Sequence, residues 1–78
     1  MSKVSREKRG TIRGFGDRLD KLIYDRELTC TEVGKRIGKD RRTIYKYRNG
    51  ESMPDGVVIC RLCTVLQTTP NYLLWGKE

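Results

Sequence analysis

The sequence predicts an all-α fold, a compact bundle of five short helices. Apolar residues recur at spacings of three and four along the chain, with no alternating strand pattern. Residues that cap helix N-termini stand just ahead of these apolar runs, and glycine or proline punctuates the short intervals between them.

Residues 1–10 are polar and charged without apolar periodicity, and read as a flexible basic arm ahead of a folded domain spanning residues 11–76. Thr11 is placed to cap a first helix running to about Arg26. Its apolar face is Ile12, Phe15, Leu19, Leu22 and Ile23, and Gly14 and Gly16 weaken its first turns. Thr29 or Thr31 caps a second helix, with Glu32 early in it where the helix dipole favours an acid, and Val33 and Ile37 on its buried face. Gly38 ends that helix. Asp40 is a suitable N-cap for a third, from Arg41 to about Arg48, closed by Asn49-Gly50. Pro54-Asp55 leads into a fourth helix, about Gly56 to Leu66, with Val58, Ile59, Leu62, Cys63 and Leu66 at helical spacing. Thr69 followed by Pro70 opens a short fifth helix through Tyr72, Leu73 and Leu74.

At 78 residues the chain is one domain with a modest core, hard to reconcile with a deep catalytic pocket. It has no histidine, no paired-carboxylate cleft can be argued from its pattern, and no glycine-rich phosphate loop follows a strand, so an enzyme is not expected and no cofactor is called for. The basic N-terminus lacks the apolar run of a signal peptide and no stretch is long enough to span a bilayer, so the expected location is the cytoplasm, with no membrane partner. Cys60 and Cys63 form a C-x-x-C, but without histidine or a second such pair they lack a four-ligand zinc set. With Cys30 they are read as reduced, packing thiols.

Charge is unevenly distributed. Residues 1–13 carry five cations against Glu7, a net +4. Residues 14–34 carry three against five acids, a net −2. Residues 35–48 carry seven against Asp40, a net +6, and residues 49–78 two against three, a net −1, which together recover the overall +7. A concentrated basic element is the footprint of a polyanion. The segment has no apolar stripe to insert into a membrane. Helices two and three, joined by a few residues around Gly38, make the helix-turn-helix arrangement whose second helix lies in the major groove of DNA. Gly34 has no side chain to hold the two helices apart, and Val33, Ile37, Ile44 and Tyr47 pack the unit onto the first helix.

The run Leu28-Thr29-Cys30-Thr31-Glu32-Val33-Gly34-Lys35-Arg36-Ile37-Gly38, continuing through Thr43-Ile44-Tyr45-Lys46-Tyr47-Arg48-Asn49-Gly50, resembles the phage-repressor and Cro-like helix-turn-helix family, the XRE family. The resemblance extends from about Ile12 to Gly76, including Phe15-Gly16-Asp17-Arg18-Leu19, Pro54 and the closing Thr69-Pro70-Asn71-Tyr72-Leu73-Leu74. It implies a lambda-repressor-like fold and a prokaryotic or phage transcriptional regulator. With Ile44 and Tyr47 directed to the core, Arg41, Arg42, Tyr45 and Lys46 point away from it, and family members use the matching positions on base edges. Arginine binds guanine O6 and N7 with two hydrogen bonds. Lys46 suits a guanine or a phosphate, and Tyr45 a thymine methyl or the DNA backbone. By the same resemblance, Thr29, Thr31, Lys39, Asn49 and Ser52 are candidate phosphate contacts. The arm from Lys3 to Arg13 either adds non-specific affinity or serves solubility.

Three departures stand out. Cys30 occupies a position where glutamine commonly contacts a phosphate, Lys39 replaces a usual apolar residue in the turn, and an arginine–glutamate pair seen in several phage members corresponds here to Ile23 and Arg48. Arg48 must therefore find another acid or a phosphate. The expected activity is sequence-specific binding of double-stranded DNA as a repressor, because a bare DNA-binding domain blocks polymerase without further parts. The expected assembly is a homodimer, at least on DNA, on an inverted-repeat operator, with Tyr72, Leu74 and Trp75 as the dimer contact and Leu73 in the core. The competing function is that of an antitoxin or accessory protein that mainly binds a protein partner and binds DNA to regulate itself.

Overall fold

The structure, a computed structural model, describes residues 12–77. Five helices follow in order: α1 Phe15–Asp25, α2 Cys30–Ile37, α3 Arg41–Arg48, α4 Gly56–Leu66 and α5 Pro70–Trp75. The all-α expectation holds, and α2 to α5 fall where capping and periodicity place them. Among the described residues no helix is long and apolar enough to cross a membrane.

The start of α1 differs from expectation. A helix beginning after Thr11 is not formed, and Thr11 itself lies outside the described residues. Gly14 is the N-cap residue at φ 82°, a left-handed conformation that other residues adopt at a cost, and the Phe15 N–H donates to the Ile12 carbonyl at 3.1 Å in the turn before the helix. Ile12 thus stands ahead of α1 and packs half-buried against the core. At α2 the choice between two caps resolves to Thr29. Its Oγ1 accepts from the Glu32 N–H at 3.1 Å, and Glu32 Oε1 accepts from the Thr29 N–H at 2.9 Å, a reciprocal capping box. Asp55 and Thr69 cap α4 and α5 in the same sense, accepting from Val58 and Tyr72. Asp40 sits at the N-cap of α3, but its side chain accepts no capping bond, so the expected cap is positional only. Its carboxylate is exposed, and the start of α3 is fixed by backbone bonds from Thr43 and Ile44 to the Asp40 carbonyl.

The core draws on every helix: Phe15 and Leu19 from α1, Val33 and Ile37 from α2, Ile44 from α3, Leu62 and Leu66 from α4, and Leu73 from α5 are almost wholly excluded from water. No polar or charged residue is buried among the described residues. Removing this much apolar surface from water is the main favourable contribution to folding. Of the three free thiols, Cys30 and Cys63 are buried as packing residues, whereas Cys60, expected to pack with them, is exposed, on the side of α4 that also carries exposed Val57 and Arg61.

Three arginines close helix ends from outside. Arg18 Nε and Nη2 donate to the Leu73 and Leu74 carbonyls of α5 at 2.9 and 2.5 Å. Arg26 does the same for Leu66 and Gln67 at the end of α4, at 2.8 and 3.2 Å, and Arg61 donates to the Ile37 carbonyl of α2 at 3.2 Å. The last carbonyls of a helix have no intrahelical donor and carry its negative dipole end, so a guanidinium satisfies both needs at once.

Candidate nucleic-acid interface

The α2–α3 unit is held close by residues with no side chain. A Cβ on Gly34 would stand 2.5 Å from the Lys39 carbonyl oxygen, so only glycine lets the turn fold back over α2. A Cβ on Gly16 would collide with the Arg48 carbonyl, which seats the end of α3 directly on α1. Gly38 ends α2 at φ 77°, and the Lys39 N–H donates to the Gly34 carbonyl at 2.8 Å. Between them these contacts fix the angle at which α3 leaves the domain.

On α3, Ile44 and Tyr47 are buried, and Arg41, Arg42, Tyr45 and Lys46 are exposed. At 3.6 residues per turn these four span roughly 140° of arc, opposite the buried pair. Burial pushes the Tyr47 phenol above its ordinary value, helped by the nearby Asp55 carboxylate, which keeps it neutral and part of the packing. The side chains of Lys35, Arg36, Lys39, Arg41, Arg42 and Lys46 make no hydrogen bond or ion pair among the described residues. They form a cationic rim from the end of α2, across the turn and along α3, with Asp40 the one acid among them.

Among the candidate phosphate contacts, Thr29, Thr31, Lys39 and Asn49 are exposed and Ser52 is half-buried. The Thr29 hydroxyl already accepts a bond from Glu32, which leaves its own proton to donate. Asn49 Nδ2 donates to Glu51 Oε2 at 3.4 Å, an exposed contact that water or phosphate can replace. Tyr72 and Leu74 of α5 are half-buried against the core and Trp75 is 57% exposed, while Leu73 is fully buried.

Arg48 finds its acid in Asp20 of α1, with Nη2 and Oδ1 at 2.7 Å. Sequence reasoning looked to position 23, which is buried Ile23, whereas Asp20 lies about one turn earlier on α1 and faces α3. Nη1 of Arg48 also donates to Cys30 Sγ at 3.1 Å, and its guanidinium carbon lies 5.6 Å from the centre of the Tyr45 ring. Burial works against the Arg48 charge, but the Cys30 contact and the Asp20 carboxylate outweigh it and hold the guanidinium ionised. Of the three exposed acids on α1, Asp17, Asp20 and Asp25, only the turn of the helix toward α3 singles out Asp20, a signal that needs the tertiary packing.

The geometry matches that of known DNA-binding regulators. The P22 c2 repressor, solved in complex with a synthetic operator, is 27% identical with a TM-score of 0.78, over 81% of this chain and 96% of that one. The restriction-modification controller protein C.AhdI from Aeromonas hydrophila is 29% identical with a TM-score of 0.71, over 76% and 89% of the two chains. A transcriptional regulator from Listeria innocua is 25% identical with a TM-score of 0.74, over 82% of this chain and 59% of its own. No curated protein matches the sequence. Residues 25–73, well over half of the chain and spanning α2 through most of α5, match the Helix-turn-helix family, and the protein belongs to that XRE-type family.

Proposed function

We propose that this protein is a sequence-specific, double-stranded DNA-binding transcriptional regulator, a repressor that reads the major groove with α3. The observation that carries this reading is the face of α3. It presents Arg41, Arg42, Tyr45 and Lys46 outward at the edge of a rim of cations with no partner among the described residues, on a helix whose other side is locked into the core. Arg41 and Arg42 stand at the N-terminal end, the end that enters the groove, and are assigned to guanines. Lys46 and Tyr45 read or brace one turn further on. Thr29, Thr31 and Lys39 on one side, and Asn49 and Ser52 on the other, are assigned to phosphates, which set register and carry no sequence information. Two copies pair on an inverted repeat through Tyr72, Leu74 and Trp75. The protein works as a binding module and not as an enzyme, in the cytoplasm where its DNA lies.

Selection from a random duplex library at about physiological salt tests this reading. The expected pool is an inverted repeat with half-site centres about 10 base pairs apart. Arg42→Ala should relax one base pair per half-site, a loss of about 1–3 kcal/mol of discrimination. A pool that stays random, with affinity that collapses on adding salt, would mean backbone-only binding and defeat the proposal.

A further inference from the structure

Arg48 is the one cation of residues 35–48 with a side-chain partner among the described residues, and its contacts end on a side chain of the exposed face of α3. Asp20 holds it from α1 at 2.7 Å, and Cys30 from the first turn of α2 at 3.1 Å. Its Nε is buried and has no acceptor. An orphaned donor of this kind opposes the conformation that contains it, so the rotamer is imposed by the two outer contacts and is not the relaxed choice of an isolated arginine. The flat guanidinium is thereby presented to the ring of Tyr45, three residues earlier on the same helix. Tyr45 is 44% exposed, and no other side-chain partner for it is found among the described residues. An exposed tyrosine otherwise exchanges rotamers within nanoseconds.

We infer that Arg48, clamped by Asp20 and Cys30, is a positioning residue that fixes the Tyr45 ring on the exposed face of α3, and so sets the preference at the base pair beneath Tyr45 without touching a base itself. The inference rests on the reading of α3 as the major-groove helix. It gives Asp20 of α1 and Cys30 of α2 a part in sequence reading although neither stands on α3.

The test is duplex selection with wild type, Tyr45→Ala, Arg48→Met, Asp20→Asn and the Tyr45→Ala/Arg48→Met double variant, with the Tyr45 ring resonances recorded in free protein. Arg48→Met is expected to flatten the same operator column as Tyr45→Ala, by about two- to fivefold, the range of an exposed cation–π contact expressed as an equilibrium factor. In the double variant it should add nothing further at that column. Asp20→Asn should flatten it in the same sense and shift the Tyr45 ring signals. If Arg48→Met lowers binding to all sequences equally and leaves the column intact, Arg48 is a phosphate contact and the inference fails. Should Arg48→Met not fold, Asp20→Asn decides alone: an unmoved ring and an unmoved column overturn the inference. A wild-type pool without any motif would instead bring down the reading of α3 itself.

Discussion

Replacing Gly34 with alanine tests whether the α2–α3 approach is as tight as its geometry. The added Cβ would meet the Lys39 carbonyl oxygen at 2.5 Å, its carbon at 3.4 Å and the Arg41 nitrogen at 3.5 Å. Ordinary contacts begin near 3.5 Å, so the carbonyl would have to retreat by about 1 Å. It cannot swing aside as a side chain would, because the Lys39 N–H of the same residue is tied to the Gly34 carbonyl at 2.8 Å. Overpacking of this kind costs about 1–3 kcal/mol, against a helix-propensity gain of up to about 1 kcal/mol for alanine over glycine. The net expectation is a loss of about 1–2 kcal/mol, seen as roughly 4–16 °C of Tm in a domain of this size. Gly56→Ala is the matched control: it too is helical, but no atom lies within 4 Å of its added Cβ, so a gain of about 0.4–1 kcal/mol is expected. Thermal unfolding of both variants by circular dichroism gives opposite signs if the reasoning holds. A Gly34→Ala protein as stable as Gly56→Ala would refute it.

Thr29→Ala removes the side-chain acceptor of the capping box, leaving only the backbone N–H bond to Glu32, and should destabilise the domain by about 0.5–2 kcal/mol in denaturant titration, with Thr29→Ser restoring most of it. In native protein a thiol reagent should modify Cys60 quickly and reach buried Cys30 and Cys63 only on unfolding; burial also raises the Cys63 thiol, so little thiolate is present there, and three fast equivalents would contradict the structure. The Tyr47 phenol is raised above its ordinary value of 10.0 by burial, so the unfolded chain loses that proton first and stability should be full below about pH 10 and fall above it. In Tyr47→Phe this alkaline fall should be shallower, and an unchanged slope would assign it elsewhere. Added salt should raise the Tm of the free protein by screening its cationic rim while weakening DNA binding, and a Tm that drops with salt would count against rim repulsion.

Most of the bundle was legible because its signals are local. Thr29 with Glu32, Gly38, and Thr69 before Pro70 each act within one helical turn, and each marks a boundary correctly. The outward face of α3 was legible for the same reason, since burial of Ile44 and Tyr47 dictates which residues face solvent. Two local signals misled. Apolar spacing drew Ile12 into α1, although Gly14 in a left-handed conformation starts the helix later, and a nominal cap residue at Asp40 makes no cap. What sequence could not supply was tertiary. Arg18 reaches a carbonyl 55 residues away and Arg26 one 40 residues away, and nothing in local patterning distinguishes these arginines from solvated ones. Arg48 counted toward the basic segment, yet it is spent on Asp20 and Cys30.

The cations therefore divide by chemistry as well as by place. Those that reach from one helix to another are arginines, because one planar guanidinium supplies two donors to consecutive carbonyls, as Arg18 and Arg26 do, or bridges an acid, a thiol and a ring, as Arg48 does. The rim mixes Lys35, Lys39 and Lys46 with Arg36, Arg41 and Arg42, and none of the six side chains makes a hydrogen bond or ion pair among the described residues. Crowding like charges along two eight-residue helices opposes folding, since most neighbours fall within about one Debye length at physiological salt. A chain with so small a core has little stability to give up, and its acids could have been placed to offset the rim as Lys21–Asp25 is offset on α1. Among the described residues they are not: only Asp40 interrupts the rim, at the N-cap of α3. Uncompensated charge on a rigid, well-capped unit raises affinity for a polyanion without ordering costs at the moment of binding. The stability it forfeits is recovered when phosphates arrive.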